Sequence, residues 1–213
     1  MSETLNEISE WLQKGRAPKV KAAVSKALEE GIPANIILSD GLLAGMDIIG
    51  AKFKNNEVFV PEVLVAARAM NKGVEVLKPY LVEAGVEDKG TVVLGTVKGD
   101  MHDIGKNLVR MMLEGKGLKV IDLGVDVPVE KFLDAAREND AQIICCSALL
   151  TTTMGEMKNV VDAVNASEMK GKVKVMIGGA PITQTFCDQI GADCYTADAA
   201  SAAEAALNFC LQA

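Results

Sequence analysis

The chain has 213 residues, of which 49% are hydrophobic and 4% aromatic, and its formal net charge at pH 7 is −7. This length suits one large domain or two modest ones. The acidic balance and the few aromatic side chains argue against a nucleic-acid partner, because phosphates need clustered Lys and Arg and unpaired bases need aromatic stacking.

We expect a soluble cytoplasmic protein with no membrane partner. The first residues, MSETLNEISEWLQKG, lack the cationic and apolar segments of a secretory signal. No apolar run approaches the ~18 residues that a helix needs to cross a bilayer. The five cysteines include no C-x-x-C pair, and Cys145 and Cys146, in an apolar strand-like run, are expected to act as small hydrophobic residues.

From Thr4 to Ala84 the pattern is helical throughout. Gly15 and Gly31 are placed as stops for the first two helices, and Pro33 and Pro61 open the next two. Four helices with short connections predict an all-α, antiparallel four-helix bundle. The polar segment GVEDKG, residues 85–90, is interpreted as a linker, which divides the chain into a helical domain, 1–86, and a second domain, 87–213.

Strand-like and helical runs alternate in the second domain. The strand-like runs are TVVLGTV, LKVIDLG, AQIICCSA, VKVMIGG and ADCYTA, and the helices are expected over 105–117, 129–139, 154–167, 181–190 and 199–211. This alternation predicts an α/β fold, a doubly wound five-stranded parallel sheet of Rossmann or flavodoxin type. Ligands of such sheets bind beyond the carboxyl ends of the strands, where the loop KGDMHD follows the first strand.

That loop contains the only histidine of the chain, His102. Asp100 stands two residues earlier, so in an extended segment its carboxylate and the imidazole project to the same side. A carboxylate bonded to one ring nitrogen leaves the other free to bind a metal. D-x-H alone fits equally well a histidine that is hydrogen-bonded for structural reasons. Asp103 is placed to cap the helix that begins near Ile104.

Familiar nucleotide and hydrolase motifs do not fit this loop. Gly99 and Gly105 relax the backbone where a bulky ligand must approach closely. However, the segment has neither the G-x-G-x-x-G fingerprint nor a P-loop, and the chain has no G-x-S-x-G elbow. Zinc would need three or four protein ligands, and the cysteines supply no recognisable set. A lone imidazole fits better as one axial ligand of a metal already held in a macrocycle.

Three motifs, at their spacing, resemble the signature of cobalamin-binding domains. The chain matches the family pattern D-x-H-x-x-G…S-x-L…G-G at Asp100, His102, Gly105, Ser147, Leu149, Gly178 and Gly179. The family includes methionine synthase, corrinoid mutases and the corrinoid proteins of methyltransferase systems. The segment from Gly45 to Met70 resembles the helical cap of the methionine synthase type, which the mutases lack. In layout the chain is most similar to the small corrinoid proteins that serve methylamine or methanol methyltransferases.

The resemblance implies that this domain binds cobalamin or a related corrinoid, carried in its methylcobalamin form. His102 would replace the cofactor's own base as the lower axial ligand of cobalt, the base-off, His-on mode, and Asp100 would hydrogen-bond the imidazole. Thr153 stands where the family often has a serine that completes a relay through histidine and aspartate. The other loop residues implied in corrinoid binding are Gly99, Met101, Asp103, Ile104 and Gly105.

The resemblance also implies a pocket for the displaced nucleotide tail of the cofactor. Ser147 and Thr151 would hydrogen-bond near the tail, and Leu149 would pack beside it. Room for the tail would come from Gly178, Gly179 and Ala180, with a far wall at Tyr195 to Ala200. In the cap, the candidates for covering the upper face of the corrin, each of which fits the bundle core equally well, are Met46, Phe53, Val58 and Phe59.

A carrier subunit, rather than a complete enzyme, is the function that the resemblance implies. Cobalt would take a methyl group from a donor on a substrate-specific methyltransferase subunit. A corrinoid:coenzyme M or corrinoid:tetrahydrofolate methyltransferase would pass it on, and a reductive activase would serve the system. The cap would move for each partner about a hinge at residues 85–90.

Two other functions fit the sequence less well. A cobalamin-dependent sensor or regulatory module would need a DNA-binding segment, and the chain has no basic helix-turn-helix candidate. A part of a multi-subunit mutase is disfavoured by the N-terminal bundle. The sequence does not reveal the methyl donor, because donor specificity would reside on the partner.

Overall fold

The computed structural model describes residues 3–84 and 88–212, apart from the side chain of Val82. The chain forms two compact units, one up to residue 87 and one from Asp88 onwards. The linker predicted at residues 85–90 lies in part outside the described residues.

The first unit is the helical bundle that the sequence predicts. Its helices are α1 (Glu3–Gln13), α2 (Ala17–Glu29), α3 (Ala34–Ile36), α4 (Ala44–Lys54) and α5 (Val60–Glu83), with a π-helix, Ile37–Leu43, that joins α3 to α4. Gly15 and Gly31 lie just past the ends of α1 and α2 and have left-handed backbones, with φ of 64° and 76°. A left-handed glycine is a common way to end a helix. Helix α1 packs against α2 and α4, and α2 packs against α5.

The π-helix is a departure from the unbroken helix that the sequence predicts after Pro33. It lies against α1, and a Cβ atom on Gly41 would be 3.2 Å from Ile8 Cγ2. On Gly45, just beyond the π-helix, a Cβ atom would be 3.2 Å from Leu12 Cδ2. The two glycines therefore allow α1 a close approach over this stretch. A π-helix changes the residue spacing within the turn, so the apolar period of an ordinary helix does not reveal it.

The second unit confirms the predicted doubly wound sheet. In chain order its elements are β1 (Thr91–Thr96), α6 (Ile104–Gly115), β2 (Lys119–Asp122), α7 (Val129–Glu138), β3 (Ile143–Ser147), α8 (Met154–Asn165), β4 (Lys174–Gly178), α9 (Gln184–Ile190), β5 (Cys194–Tyr195) and α10 (Ala199–Gln212). All strand pairs are parallel, and their order is β2-β1-β3-β4-β5. This is the flavodoxin-like order, in which the chain reverses direction across the sheet after β2.

Both faces of the sheet are buried, as continuous apolar strands require. Helices α6 and α10 pack together beside one face, and α7 and α8 cover the other. Phe132 of α7 is fully buried and takes the space that a side chain on Gly95 would need, since a Cβ atom there would be 2.8 Å from the Phe132 ring. That packing fixes α7 against β1, close to the carboxyl end of the strand.

Helix α9 begins later than predicted. The sequence places it from Pro181, but the helix starts at Gln184. The Thr183 side chain accepts a hydrogen bond from the Phe186 amide at 3.2 Å, which makes Thr183 the N-cap. Ile182 instead donates its amide to Gly179 O in a turn that leaves β4.

The cysteines are free thiols. Cys145 and Cys146 are 6% and 3% exposed, which confirms that they pack as small hydrophobic residues. Burial raises the pKa of Cys146 to about 12 and raises that of Cys145 as well. Burial also raises the pKa of the three other cysteines, Cys187, Cys194 and Cys210. Within residues 3–84 and 88–212, none of the helices combines the length and apolar character needed to cross a bilayer.

Candidate functional site

The loop that joins β1 to α6 lies at the carboxyl edge of the sheet. β1 is hydrogen-bonded to β2 on one side and to β3 on the other, so the loop stands at the point where the strand order reverses. Open α/β sheets bind ligands in the crevice at that point. The structure therefore puts His102 where a ligand is expected.

His102 and Asp100 are in direct contact. The ring nitrogen Nδ1 lies 2.7 Å from Asp100 Oδ1, and the same carboxylate oxygen accepts the His102 amide at 3.1 Å. The His102 side chain is 50% exposed, whereas that of Asp100 is fully buried. An anionic carboxylate at Nδ1 holds a proton on that nitrogen, which leaves Nε2 as the ring nitrogen with a lone pair to offer.

The Asp100 carboxylate is surrounded by hydrogen-bond donors. Its second oxygen, Oδ2, accepts the amides of Leu149 at 2.8 Å and Leu150 at 3.1 Å, from the loop after β3. Burial by itself raises the pKa of Asp100. The hydrogen bonds from Leu149 and from the amide and ring of His102 outweigh burial and hold that pKa well below its ordinary range. Asp100 is therefore anionic at physiological pH.

Thr153 completes a line of three polar side chains. Its hydroxyl lies 2.9 Å from Asp100 Oδ2 and 2.9 Å from Leu150 O, and the residue is 7% exposed. The hydroxyl has one proton, and the charged carboxylate is the stronger acceptor. The structure thus brings together His102, Asp100 and Thr153, the three residues that the sequence predicts as a relay.

Replacing Thr153 by valine should lower the free energy of unfolding by ~1–2 kcal/mol, because a buried hydrogen bond to a charged group is lost. Thr153→Ser keeps the hydroxyl and should lose less than Thr153→Val. Urea unfolding of the protein without cofactor measures both values. A larger loss in Thr153→Ser than in Thr153→Val would mean that packing of the threonine methyl group, which only serine lacks, matters more than the hydroxyl.

Thr96 is a site residue that sequence reasoning missed. It is fully buried at the end of β1, and its hydroxyl donates to His102 O at 2.8 Å. In the sheet register Thr96 lies beside Ser147, which lies beside Gly178. These three positions form one row across the carboxyl ends of β1, β3 and β4. The only signal in the sequence was a polar residue at the end of an apolar strand.

Asp103 does not cap α6 in the predicted way. It occupies the N-cap position, but its side chain makes no cap hydrogen bond. Its backbone, at φ −126° and ψ −11°, departs from the extended conformation that turns an N-cap side chain toward the next amides. Asp103 Oδ2 instead accepts a hydrogen bond from Asn107 Nδ2 at 3.1 Å.

A buried lysine stands behind the loop and was also missed. Lys106 is 2% exposed, and its Nζ lies 2.6 and 2.7 Å from the two carboxylate oxygens of Asp122, at the end of β2. Arg110 Nη1 donates to the same carboxylate at 3.1 Å. Burial raises the pKa of Asp122, but the Lys106 hydrogen bond helps to bring it below its ordinary value. Lys106 also donates to Asn107 Oδ1, which links this ion pair to Asp103.

Apolar side chains are exposed around the imidazole. Met101 is 68% exposed and Ile104 78% exposed, one on each side of His102 in the chain. Leu149 and Leu150, whose amides bind Asp100, are 43% and 41% exposed. Large apolar groups left in solvent around a polar centre indicate a surface for a bulky, largely apolar ligand.

The glycines after β4 differ in what surrounds them. Gly179 has φ 138°, and a Cβ atom there would lie 1.8 Å from Ala148 O. No atom lies within 4 Å of a Cβ atom placed on Gly178, beside Ser147 in the register. Gly178 therefore borders open space at the edge of the sheet, and Gly179 lets two backbone segments meet.

The other residues predicted for this unit lie around the same edge. Ser147 ends β3 and is partly buried, and Thr151 and Ala180 are exposed. Tyr195 ends β5 and is partly buried. Gly99 has φ 79°, and Gly105 lies exposed in the first turn of α6.

The four cap candidates differ in exposure. Met46 is 2% exposed and belongs to the interior of the bundle. Phe53 and Val58 are partly buried, and Phe59 is 63% exposed just before α5.

Two family models match the chain, one to each unit. Both are described as a B12 binding domain, and they match residues 4–78 and residues 90–207. Together they cover most of the chain.

Two methylamine corrinoid proteins are similar in sequence to this chain over most of its length. The chain is 46% identical over 202 residues to dimethylamine corrinoid protein 1 of Methanosarcina mazei, covering 94% of this chain and 93% of that protein. It is 43% identical over 188 residues to trimethylamine corrinoid protein 1 of the same organism, covering 86% and 87%. Its fold is similar to a chain in the methanol:cobalamin methyltransferase complex of Methanosarcina barkeri, with a TM-score of 0.89 and 31% identity, over 100% of this chain and 81% of that one.

Proposed function

This chain belongs to the B12-binding corrinoid proteins of methyltransferase systems, and we propose that it carries a methyl group on cobalt between two partner enzymes. The first is a substrate:corrinoid methyltransferase. The second is a corrinoid:acceptor methyltransferase that delivers the methyl group to coenzyme M or tetrahydrofolate. The observation that carries the proposal is the half-exposed imidazole of His102, held by the buried carboxylate of Asp100.

The residues around His102 fit a corrinoid in chemistry and in space. His102 Nε2 would be the lower axial ligand, and the exposed side chains of Met101 and Ile104 would face the macrocycle. Ser147 and the open space beside Gly178 would receive the displaced nucleotide tail. When bound, the corrinoid supplies a cobalt ion that accepts a methyl group from one partner and yields it to the other.

Asp100 and Thr153 would govern the proton on His102. The depressed pKa of Asp100 keeps its carboxylate anionic, so the proton stays on Nδ1, away from the metal. The Thr153 hydroxyl stabilises the same carboxylate from its other oxygen. A carboxylate bonded to the far nitrogen raises the basicity of an imidazole ligand, which is how these two residues would tune the bond to cobalt.

A methylated amine is the class of methyl donor that the relatives favour. Those named for dimethylamine and trimethylamine are 46% and 43% identical to this chain, against 31% for the chain from the methanol complex. We therefore place a methylamine-class methyltransferase as the first partner. A reductive activase would restore the cobalt after adventitious oxidation.

We assign the cap role to residues 1–86 and corrinoid binding to residues 87–213, in keeping with the two matched segments 4–78 and 90–207. The five free thiols fit a reducing compartment, and the cytoplasm is the location we propose.

Cobalt ligation can be tested directly, because His102 is the only histidine of the chain. Protein without a histidine tag, labelled with nitrogen-15 histidine, is loaded with cobalamin and reduced to Co(II). The nitrogen splitting in its paramagnetic resonance spectrum should change from a triplet to a doublet on labelling and should vanish in His102→Ala. A nitrogen splitting that is unchanged both by nitrogen-15 labelling and by His102→Ala would refute His102 as the ligand.

Methyl carriage is tested with the partners present. Loaded protein with its cobalt reduced to Co(I) is incubated with a dimethylamine or trimethylamine methyltransferase and the matching amine and, in parallel, with a methanol methyltransferase and methanol. We expect methylation of the cofactor, read from its visible spectrum, with an amine-class partner. Methylation by the methanol enzyme alone would overturn the donor class, and none with any partner would overturn carriage.

A further inference from the structure

Asp126 lies in the connection between β2 and α7 in a backbone conformation that a non-glycine residue seldom adopts. Its φ is 53°, in the left-handed region, which usually costs such a residue ~1–3 kcal/mol. The described residues include two other cases, Asn56 and Asp140. Both follow the end of a helix, α4 and α7, where a left-handed residue is the ordinary way to stop. Asp126 follows a strand, so its conformation needs another reason.

The side chain of Asp126 supplies that reason. Its Oδ1 accepts the Gly99 amide at 2.7 Å, a contact that glycine, the least strained residue at this φ, would not make. Its own amide donates to Asp100 O at 3.0 Å. Asp126 thus holds the backbone from Gly99 to Asp100 at both ends, once through a charged acceptor and once through the main chain.

The neighbouring backbone aligns Asp126 for this contact. Thr96 donates its amide to Gly124 O, and Val127 donates its amide to Thr96 O. Val97 and Val127 form an isolated parallel bridge beyond the ends of β1 and β2. The connection after β2 therefore runs beside the start of the His102 loop and places Asp126 opposite Gly99.

We propose that Asp126 is a positioning residue that fixes the backbone of Gly99 and Asp100 and thereby sets the Asp100 carboxylate against the His102 ring. Asp100 leads directly to the ring, since its Oδ1 bonds both the amide and Nδ1 of His102. Loss of the Asp126 carboxylate would free the Gly99 amide and loosen this geometry. The inference deepens the cobalt-ligand role of His102 and rests on that proposed function for its significance.

The test uses Asp126→Gly, which keeps the left-handed backbone and the amide donor and removes only the carboxylate. Asp126→Asn keeps an uncharged acceptor. Asp140→Gly is the matched control, since it makes the same change at a left-handed aspartate beyond the other end of α7. The readout is the tautomer of His102, from nitrogen-15 spectra of the untagged protein without corrinoid at alkaline pH.

We expect the Nδ1–H tautomer to dominate in the wild type and in Asp140→Gly. Its share should fall in Asp126→Asn and fall further in Asp126→Gly. Exchange of the Gly99 amide with solvent should quicken about tenfold in Asp126→Gly, as the loss of a bond to a charged acceptor implies. If Asp126→Gly proves too unstable for spectra, Asp126→Asn is the test, and the share of its Nδ1–H tautomer should likewise be lower than in the wild type.

A wild-type tautomer and wild-type exchange in the Asp126 variants would overturn the proposal, as would an equal change in Asp140→Gly. These results are independent of the cobalt-ligand role. If the tautomer responds but the cobalamin-loaded protein shows no histidine splitting, the ligand role fails and the positioning role stands. If the histidine splitting is present but the tautomer does not change in the Asp126 variants, the ligand role stands and the positioning role fails.

Discussion

Gly179→Ala is expected to lower the free energy of unfolding by ~4 kcal/mol, through backbone strain and an overlap that cannot relax. At φ 138° an alanine is strained, and its Cβ atom would lie 1.8 Å from Ala148 O. The obstructing atom belongs to the backbone just after β3, so relief requires β3 and β4 to separate at their carboxyl ends. Urea unfolding of the protein without cofactor, followed by circular dichroism, measures the loss.

Gly178→Ala is the matched control for this experiment, one residue earlier in the chain. Its Cβ atom would meet no atom within 4 Å, so the free energy of unfolding should change by less than ~1 kcal/mol. On the proposed function the methyl group would instead enter the space for the nucleotide tail, and corrinoid affinity should fall by about tenfold, for ~1.4 kcal/mol of crowding. Equal stability losses in the two variants would contradict the steric explanation.

Asp100→Ala is expected to lower the free energy of unfolding by ~3–5 kcal/mol, the usual effect of removing one partner from a buried charged network. The amides of Leu149 and Leu150 and the Thr153 hydroxyl would lose their shared acceptor inside a site with no access to water at the Asp100 position. His102→Ala is the control. It leaves those three bonds in place and, at a half-exposed position, should lose less.

The free energy of unfolding should differ less between the wild type and Asp100→Ala at acidic pH than at neutral pH. The pKa of Asp100 is lower in the folded protein than its unfolded value of ~4. Its ionisation therefore stabilises the fold fully above that value, and the stabilisation is lost as pH falls through the depressed folded-state pKa. The difference should shrink as pH falls below ~4. A difference that stays constant on acidification would show that Asp100 acts through packing alone.

The sequence was sufficient to predict the fold because its local signals agree with one another. Gly15 and Gly31 stop helices where the apolar period also ends, and the continuous apolar strands of the second unit allow only a sheet buried on both faces. The failures lie where tertiary packing decides. The π-helix depends on how closely α1 approaches Gly41, and the start of α9 depends on a turn that Ile182 makes with Gly179.

The sequence predicted the side chains of the candidate site better than its backbone donors. D-x-H places Asp100 beside His102, and the contact exists at 2.7 Å. No residue type reveals that the amides of Leu149 and Leu150 bind Asp100, because every residue except proline carries an amide. The sequence did not reveal the contact of Asp126 either, because a left-handed φ at an aspartate is set by the surrounding structure and not by the residue type.

The cysteines have a consequence for a protein with the proposed function. A methyl group on cobalt is electrophilic, and a thiolate is a ready acceptor for it. An ordinary cysteine thiol is already mostly protonated at neutral pH, and burial raises the pKa of each of the five cysteines further. On the proposed function, such thiols would compete poorly for the methyl group, which would be kept for the acceptor that the partner enzyme presents.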